Sequence, residues 1–501
     1  MLRLGLVSFL NNSINIRSLS SYLKRSGYEA TCLFCSTAFN PSNLNGLIEL
    51  LKEKSVDLVG VSLVTDDYRS AVIVTRAIKE KLGLPVIWGG AHVNVKPDEC
   101  LQHADMVCLG EGEEALLELA DHMSHHGDPD LSIRNIWFRT EKGIVKNELR
   151  LLEENLDRYP FPDFDLGSQY AMNEKGFERL GEKNLGGEYS VMTSRGCPYN
   201  CNYCYNSYRR KAFAGKGQYL RKRSIENVIE ELQHAKGIFK KLSRINFWDD
   251  SFVTRDLEDF KTFHDLYRGK IDLPFFALIE PMAFNQEKIK LLMDAGLIGL
   301  QVGIQTGSER VNRKIYNRSV SGRKVVEVAE YLHHLGIDVK YDIIFNNPYE
   351  TNADLSETIK LFLKFPKPFS LQGYNLIFYP GTAITEKALQ DGYISEKQGD
   401  EDFTTIQSVK DSPVAMLGDS EVTSRFYKIN YGSQEKKYLN AVIALLGSNH
   451  TPKSIIRFFA KSETVPKAVL LKAFIKVYAF LALVKNKMTM LAPISVRTRC
   501  P

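Results

Sequence analysis

The length, composition and charge of the chain restrict the classes of protein to which it can belong. Its 501 residues are enough for roughly two to four domains, and 44% of them are hydrophobic, which supplies large apolar cores. The formal net charge of +5 is small for this length and gives no reason to expect a nucleic-acid partner, and the scattered cysteines do not form the disulfide framework of a small secreted protein.

The first residues indicate a cytoplasmic protein. Met1–Val7 enters a strand-like run directly and has neither the long apolar region nor the small-residue cleavage site of a signal peptide. No stretch of about 18 uncharged apolar residues is available for a membrane span. We therefore expect an intracellular enzyme.

Residues 1–150 alternate short apolar runs with longer amphipathic segments. The segments Ala71–Leu82 and Glu113–Met123 have the spacing of helices. The alternation predicts an α/β fold with a doubly wound parallel sheet, whose ligands bind at the carboxyl ends of the strands. The predicted strands are Leu4–Phe9, Thr31–Cys35, Leu58–Leu63, Val86–Trp88 and Met106–Leu109.

Glycines and polar residues collect where these strands end. The ends are occupied by Asn11–Asn12, Ser62–Asp66, Gly89–His92 and Gly110–Glu113. A glycine after a strand lets a bulky ligand approach the backbone. One such end is typical of a tight turn, whereas four at one edge of a sheet indicate a large flat ligand. The candidate binding residues are Ser62, Thr65, Gly89, Gly90, His92, Gly110, Glu111 and Gly112.

A connecting region separates this part of the chain from the next. Ile133–Phe138 and Ile144–Glu148 flank Lys142-Gly143 and are predicted to form a hairpin. Residues 151–187 are predicted to be a linker, stiffened by the prolines of Tyr159–Phe164. The hairpin closes the first domain, and the second domain begins at residue 188.

Three cysteines within eight residues carry the most informative signal. Cys197, Cys201 and Cys204 have the spacing C-x₃-C-x₂-C in a loop that also contains Gly196 and Pro198. A short loop of this kind can wrap thiolates around a soft metal centre, either zinc or an iron–sulfur cluster. A structural zinc ion would need a fourth ligand, and none follows at finger-like spacing. A three-cysteine zinc site, a disulfide with one spare thiol, and coincidence are the alternatives.

The cysteine spacing resembles the hallmark of the radical S-adenosylmethionine (radical SAM) superfamily, and Tyr203, just before the last cysteine, belongs to the same pattern. The resemblance implies a 4Fe–4S cluster held by Cys197, Cys201 and Cys204. Its open iron would chelate S-adenosylmethionine and cleave it to a 5′-deoxyadenosyl radical. It also implies an electron donor such as flavodoxin or ferredoxin.

The preceding region resembles the Rossmann-like cobalamin-binding domain of one subgroup, the cobalamin-dependent (class B) radical SAM enzymes. The similarity is strongest in residues 59–62, 88–92 and 109–113. The D-x-H-x-x-G motif of other cobalamin proteins is absent, which implies cobalamin bound base-off without a histidine ligand to cobalt. His92 is then expected at the corrin rim or its amides. A degenerate domain that has lost its cofactor is the alternative.

Residues 188–400 resume the alternation of strands and helices. The six units indicate the partial (β/α)₆ barrel that the resemblance implies, with the cysteine loop after the first strand and catalytic groups at the strand ends. The predicted strands are Tyr189–Thr193, Arg244–Trp248, Pro274–Ile279, Leu300–Ile304, Val339–Phe345 and Gln372–Phe378. The candidate cofactor-binding residues at their ends are Asp249, Asp250, Glu280, Gln305 and Asn346. For each aspartate, a helix cap or a buried ion-pair partner is the alternative.

Residues 401–501 are predicted to form a basic, helical region. From Glu435 to Pro501 there are twelve Lys or Arg residues and two acids. Val465–Val484 is largely apolar but contains three lysines, so an amphipathic helix fits better than a membrane span. The region is either a helical lid packed on the barrel, or a surface for a lipophilic or anionic substrate or for peripheral contact with the inner face of the membrane.

The resemblance implies methylation of an unactivated carbon, with the deoxyadenosyl radical removing a hydrogen atom and methylcobalamin supplying the methyl group. An oxidative cyclase or ring-rearranging enzyme that uses cobalamin without methyl transfer is the first alternative. A corrinoid or electron carrier is the alternative from a different class. The substrate is an organic molecule that the sequence does not identify.

Overall fold

The structure is a computed structural model that describes residues 2–396 except 12 and 37, together with residues 427–429, 439–440, 442–443 and 453. Most of the predicted basic helical region, including Val465–Val484, therefore lies outside the described residues. Within the described part, no helix combines the length and apolar composition that a membrane span requires.

The N-terminal sheet is parallel at its centre and has the strand order β7-β6-β5-β4-β3-β1-β2-β8-β9. Strand β2 lies on one side of β1, and β3, β4 and β5 follow on the other, so the order of strand addition reverses between β1 and β3. In doubly wound sheets ligands bind at such a switch point. The strands are β1 Arg3–Ser8, β2 Glu29–Phe34, β3 Leu58–Ser62, β4 Val86–Gly89, β5 Met106–Cys108, β6 Ile136–Thr140, β7 Gly143–Val145, β8 Gln169–Met172 and β9 Phe177–Arg179. The helices are α1 Ile14–Arg25, α2 Pro41–Glu53, α3 Tyr68–Leu82, α4 Ala91–Val95, α5 Pro97–Cys100 and α6 Glu113–His126.

The segment predicted to be a linker contributes to this sheet. Strand β8 pairs in parallel with β2, and β9 pairs antiparallel with β8. Buried polar contacts hold the segment on α1: Ser20 Oγ donates to Asp163 Oδ2 at 2.6 Å, and Arg17 Nε donates to Gln169 Oε1 at 3.2 Å. Residues 151–187, predicted to be a linker, thus also contribute two strands to the N-terminal sheet.

The second sheet has six parallel strands in the order β10-β13-β14-β15-β16-β17. Its strands are β10 Glu188–Val191, β13 Arg244–Phe247, β14 Phe275–Ile279, β15 Leu297–Gln305, β16 Asp338–Phe345 and β17 Ser370–Asn375. The helices of this part are α7 Glu182–Leu185, α8 Tyr205–Ala212, α9 Ile225–Ile238, α10 Leu257–Lys270, α11 Gln286–Ala295, α12 Gly322–His334, α13 Asn352–Phe362 and α14 Ala383–Gln390. Two small ribbons pair β11 Ser194–Arg195 with β12 Arg221–Lys222, and β18 Ile394–Glu396 with β19 Tyr427–Ile429.

The two faces of the second sheet differ in composition because side chains alternate along a strand. On the outer face, residues such as Phe247, Val302 and Tyr341 are buried in the core beneath the helices. Burial of each such side chain contributes about 1.5–3 kcal/mol. The opposite, inner face carries polar and aromatic residues. The predicted α/β fold is confirmed, with a first sheet that is parallel at its centre and a second sheet that is parallel throughout.

Candidate functional site

The cysteine loop follows a strand that Asp249 holds in place. The Asp249 carboxylate is fully buried and accepts hydrogen bonds from Thr193 N at 2.9 Å, Thr193 Oγ1 at 2.9 Å and Ser194 Oγ at 2.5 Å. Burial raises the pKa of Asp249, while these hydrogen bonds act in the opposite direction. Asp249, predicted to bind a cofactor, therefore anchors the segment that leads into the loop.

The loop itself is fixed from both sides. Gly196 has φ of +92°, and a Cβ atom there would lie 2.4 Å from the Tyr219 carbonyl oxygen, so only glycine fits. Asn202 donates from its backbone N to Tyr316 O at 3.0 Å and from Nδ2 to Ile315 O at 2.9 Å. The Tyr203 ring packs edge-on against Tyr316 with 4.9 Å between centroids. Tyr203 thus helps to seat the loop.

The three cysteines of the loop are free thiols. Cys197 and Cys201 are buried and Cys204 is half-buried. Burial raises the pKa of Cys197 to about 12 and that of Cys204 to about 11, and the exposed Asp250 carboxylate contributes to both shifts. Cys204 also acts on Cys197, and Cys201 on Cys204, so the thiols lie within electrostatic reach of one another.

The donor set suits a cluster better than a single ion. Among the residues that the structure describes, no three His, Cys, Asp or Glu side chains are grouped so that they could hold one metal ion. A four-iron cube binds each thiolate through a different iron, so its three sulfur atoms do not converge on one point. Three unpaired thiols on one short loop fit that requirement.

A buried ion pair stands beside the loop. Arg318 is 1% exposed, pairs with Glu280, and donates to Gly303 O at 2.6 Å and Ile304 O at 2.8 Å. Burial raises the pKa of Glu280, and Arg318 opposes that shift. Both charges also act on Cys201, where Arg318 lowers the thiol pKa and Glu280 raises it. Glu280 was predicted from its strand end, whereas no sequence signal pointed to Arg318.

The next two strand ends have strained backbones. Gln305 and Asn346 have φ of +70° and +59°, in the left-handed region that few non-glycine residues adopt. Asn346 Nδ2 donates to Asn375 Oδ1 at 2.6 Å. The neighbouring Thr306 is buried, and its hydroxyl Oγ1 donates a hydrogen bond to Glu350 Oε1 at 2.8 Å.

A cavity of about 370 Å³ lies between the carboxyl edge of the N-terminal sheet and the cysteine loop. Residues 194–196, Tyr205 and Arg209 of the second domain line one side. The predicted residues that line it are Ser62, Gly89, Gly90, Gly110, Glu111, Gly112 and Asp250. One cavity therefore extends from the strand ends of the first sheet to Gly196, the residue before Cys197.

The cavity extends into a slot between helices α1 and α6 on one side and the sheet on the other. Leu6, Gly60 and Ile87 line the slot on the sheet side, and Leu19 and Leu116 line it on the helix side. A Cβ atom on Gly60 would approach Leu6 Cδ2 to 3.1 Å, so a larger residue would narrow the slot. The slot is thus lined by apolar side chains on both sides.

Gly89, Gly90 and Gly110 at this edge differ in the space that surrounds them. A Cβ atom on Gly90 would lie 2.4 Å from Leu63 O, and one on Gly110 would lie 2.6 Å from Phe213 Cζ; both have positive φ, at +105° and +76°. At Gly89 the nearest atom, Cys108 O, is 3.9 Å away. The fold itself thus requires glycine at positions 90 and 110, whereas Gly89 leaves room that a ligand can use.

His92 and Thr65 do not line the cavity. His92 is fully buried, its ring lies edge-on to Tyr68 with 5.1 Å between centroids, and its Nδ1 is 3.3 Å from Thr65 Oγ1. These contacts place His92 behind the strand end, away from the ligand side of the sheet.

Glu111 connects the two domains. It accepts hydrogen bonds from Arg221 at 3.0 and 2.5 Å and lies 3.1 Å from Arg195 and 3.9 Å from Arg209. Burial alone would raise the pKa of Glu111, but the arginines lower it to about 2. Arg195 also pairs with Glu113 at 2.5 Å. None of these three arginines was predicted from the sequence.

Comparison with known proteins agrees with this geometry. The family model of the radical SAM superfamily matches residues 191–362, and that of the B12 binding domain matches residues 5–120. An uncharacterized methyltransferase of Pyrococcus horikoshii is 27% identical over 371 residues, which cover 72% of this chain and 76% of that protein. The cytidylyl-2-hydroxyethylphosphonate methyltransferase of Streptomyces wedmorensis is 24% identical over 379 residues, covering 66% and 68%.

A solved structure shares the fold. The radical S-adenosylmethionine methyltransferase TsrM from Kitasatospora setae, with cobalamin and a 4Fe–4S cluster bound, matches with a TM-score of 0.67 and 16% identity, covering 96% of this chain and 100% of that chain. The order of the two matched domains is the order predicted from the motifs. The chain belongs to the cobalamin-dependent radical SAM enzymes, whose cofactors are a 4Fe–4S cluster, S-adenosylmethionine and cobalamin.

Proposed function

We propose that this protein is a methyltransferase that transfers a methyl group to an unactivated carbon of an organic substrate. The observation that carries the proposal is the single cavity lined by both Gly89 of the first sheet and Gly196 of the cysteine loop. Binding sites at domain interfaces are common, and a cavity shared by the two domains would let two cofactors face one space. The methyltransferase relatives support the same reaction class.

The residues present fit the three cofactors. Cys197, Cys201 and Cys204 would hold the cluster, and Glu280 and Gln305 beside them would contact S-adenosylmethionine. Cobalamin would lie over Ser62, Gly89 and Gly112, with its base in the slot that Gly60 lines. When bound, the cluster with S-adenosylmethionine supplies hydrogen-atom abstraction and cobalamin supplies methyl transfer.

The protein's own side chains have three tasks in this scheme. Apolar residues such as Leu6 and Ile87 exclude water from the slot. Arg318 favours the deprotonated form of Cys201, which metal binding requires. The arginines around Glu111 hold the two domains at a fixed separation, so that the substrate carbon can face both cofactors.

The test is anaerobic turnover of the reconstituted full-length protein with S-adenosylmethionine labelled in its methyl group, using an extract of the source cells as the substrate pool. We expect 5′-deoxyadenosine and a product that carries the label. The Cys204→Ala variant should form neither, while Cys35→Ala, at a buried cysteine outside the loop, should form both.

The alternatives give different results. Deoxyadenosine with an unlabelled, cyclised or rearranged product would identify the oxidative cyclase. Absence of deoxyadenosine from a protein with a full cluster and a competent reductant would identify a carrier. We further propose that a flavodoxin or ferredoxin supplies the electron. Membrane contact remains a proposal from the basic sequence after residue 435.

A further inference from the structure

The inner face of the second sheet, opposite the helices, carries a group of residues that the cofactors do not account for. The register places Leu278 opposite Gln301, and Gln301 opposite Lys340. Asp342 follows two residues after Lys340 and therefore shares its face. The outer-face neighbours Val302 and Tyr341 are buried in the helical core, which fixes Gln301, Lys340 and Asp342 on the inner face.

Large aromatic side chains border this face and remain accessible. Trp248 is 43% exposed and Tyr374 is 46% exposed, although both lie on or directly after strands of a well-packed sheet. The rings of Trp248 and Phe276 lie 6.3 Å apart, and Lys340 Nζ lies 5.8 Å from the Phe276 ring centroid. Exposed aromatic rings on a concave face are surfaces on which a planar molecule can stack.

The Asp342 carboxylate lies on the same face as these rings. Gln301 Nε2 donates to both oxygens of Asp342, at 2.9 and 2.8 Å, and lies 3.3 Å from Tyr374 Oη. Across the described ranges, Asp342 has no ion-pair partner within 4.0 Å. A half-buried carboxylate with only an amide partner can accept further hydrogen bonds and favours a positively charged group.

The face adjoins the cysteine loop. Glu280 raises, and Arg318 lowers, both the pKa of Asp342 and that of Cys201, so both groups lie within reach of the same ion pair. Trp248 directly precedes Asp249, which anchors the strand before the cysteines. A molecule held on the inner face would therefore present its carbon atoms to the site where hydrogen abstraction takes place.

We propose that the inner face binds the substrate, and that the substrate is a planar ring system bearing a protonated amine or another N–H donor. The ring lies against Trp248, Phe276 and Tyr374, and the nitrogen donates to Asp342. This inference rests on the proposed function, because it assumes a substrate beside the cysteine loop. It adds the chemical class that the motifs leave open.

The experiment compares three ligands with one ring and three charges: tryptamine, 3-ethylindole and indole-3-propionate. Binding to the full-length, cofactor-loaded protein with saturating S-adenosylmethionine is measured by calorimetry at pH 8 without reductant, so no turnover occurs. We expect tryptamine to bind about tenfold more tightly than 3-ethylindole, as for a hydrogen bond to a charged group, and indole-3-propionate to bind most weakly.

The preference for the amine should depend on pH with a definite sign. Burial raises the pKa of Asp342 to about 7, with Gln301 acting in the opposite direction and Glu280 in the same direction. The carboxylate is therefore charged at pH 8 and protonated at pH 5.5, where the advantage of tryptamine should disappear. The other charged groups close to this face are Arg318, which is paired with Glu280, and Lys340.

Variants separate the two contacts. Asp342→Asn should remove the preference for tryptamine and leave 3-ethylindole binding unchanged, whereas Trp248→Ala should weaken all three ligands several-fold. Asp265→Asn, an exposed acid on α10, should change nothing. The iron content and circular dichroism of each variant check that it is folded.

Three results would overturn the proposal: no binding of any ligand to the wild-type protein, equal binding of all three, or an amine preference that survives in Asp342→Asn. Displacement of tryptamine by S-adenosylmethionine would also overturn it, because Asp342 would then belong to the cosubstrate site. The outcome is independent of the methylation test, since binding is measured without turnover.

Discussion

Glu111 of the N-terminal domain and Arg221 of the second domain form a two-point hydrogen-bonded ion pair across 110 residues of sequence. Arg221 lies on β12, which pairs with β11, and β11 leads into the cysteine loop through Arg195. Arg195 pairs with the same glutamate at 3.1 Å. A strand end of the cobalamin domain is thus tied by charge to the backbone that presents the cysteines.

Replacement of Glu111 by Gln should destabilise the protein by roughly 3 kcal/mol, because the buried Arg221 would lose its counter-charge. Arg221 is 3% exposed and cannot turn to solvent without unpacking. Urea denaturation followed by circular dichroism measures the loss. The matched control is Glu148→Gln, since that side chain is 82% exposed and pairs with Lys216 at 3.7 Å. An equal effect of both variants would contradict the importance of the interdomain cluster.

The same cluster predicts loss of stability in acid. The pKa of Glu111 is lowered to about 2 from a usual value near 4.5, so folding stabilises its charged form. This contribution is fully present above about pH 4.5 and disappears as the pH falls towards 2. In thermal melts between pH 6 and pH 3, the wild type should therefore lose more stability than Glu111→Gln. Parallel curves for the two proteins would show that other carboxylates dominate.

Iron binding should depend on three cysteines and no others. Changing Cys197, Cys201 or Cys204 to Ala should reduce reconstituted iron from about four atoms per chain to near zero, with loss of the brown charge-transfer absorption. Cys35→Ala should keep the iron and the absorption, because Cys35 lies outside the loop and burial raises the pKa of its thiol. Retention of the cluster by the triple variant would refute the ligand assignment.

Elements whose ends are marked by neighbouring residues in the sequence can be predicted from it. Helix α11 is marked at both ends, because Asn285 caps its N-terminus by accepting from Lys288 N at 3.0 Å, and Gly296 ends it in the left-handed conformation. The cysteine ligands were equally visible, since their spacing is local. Strands β8 and β9 were missed because they are short and gain their stability from β2 and α1, which are distant in sequence.

The site residues that escaped sequence analysis have long-range partners. Arg318 pairs with Glu280 across 38 residues, and Arg221 with Glu111 across 110. Neither arginine lies at a predicted strand end or in a motif, so nothing local distinguishes it from a surface residue. Conversely, Asp249 was found by position, yet its hydrogen bonds to Thr193 and Ser194 give it a supporting role that only the tertiary structure reveals.

Gly89 provides the cleanest test of cobalamin binding at the sheet edge. Gly89→Val should fold normally, because the nearest atom to a Cβ there is 3.9 Å away, but the side chain would occupy ligand space. We expect at least about tenfold weaker binding of hydroxocobalamin, since overpacking costs 1–3 kcal/mol. Gly90→Ala should instead unfold the domain through its clash with Leu63. Equilibrium dialysis with circular dichroism separates these outcomes, and undiminished cobalamin binding by Gly89→Val would place the corrin elsewhere.

His92 should have no part in cobalt coordination. It is fully buried, contacts Thr65 and Tyr68, and does not line the cavity, so its imidazole would have to leave these contacts to reach a metal above the strand ends. Loaded with cobalamin and reduced to Co(II), the wild-type protein should give a paramagnetic resonance spectrum without axial nitrogen hyperfine splitting.

The variant that tests this assignment is His92→Gln, which keeps a hydrogen-bonding group in the same place. Its Co(II) spectrum should match that of the wild type, while its melting temperature falls because an imidazole packed against Tyr68 has been lost. Thr65→Val removes the hydroxyl partner of His92. It should also lower the melting temperature and leave the Co(II) spectrum unchanged. A nitrogen splitting present in the wild type and absent from His92→Gln would instead make His92 the lower axial ligand, and would require this strand end to open when cobalamin binds.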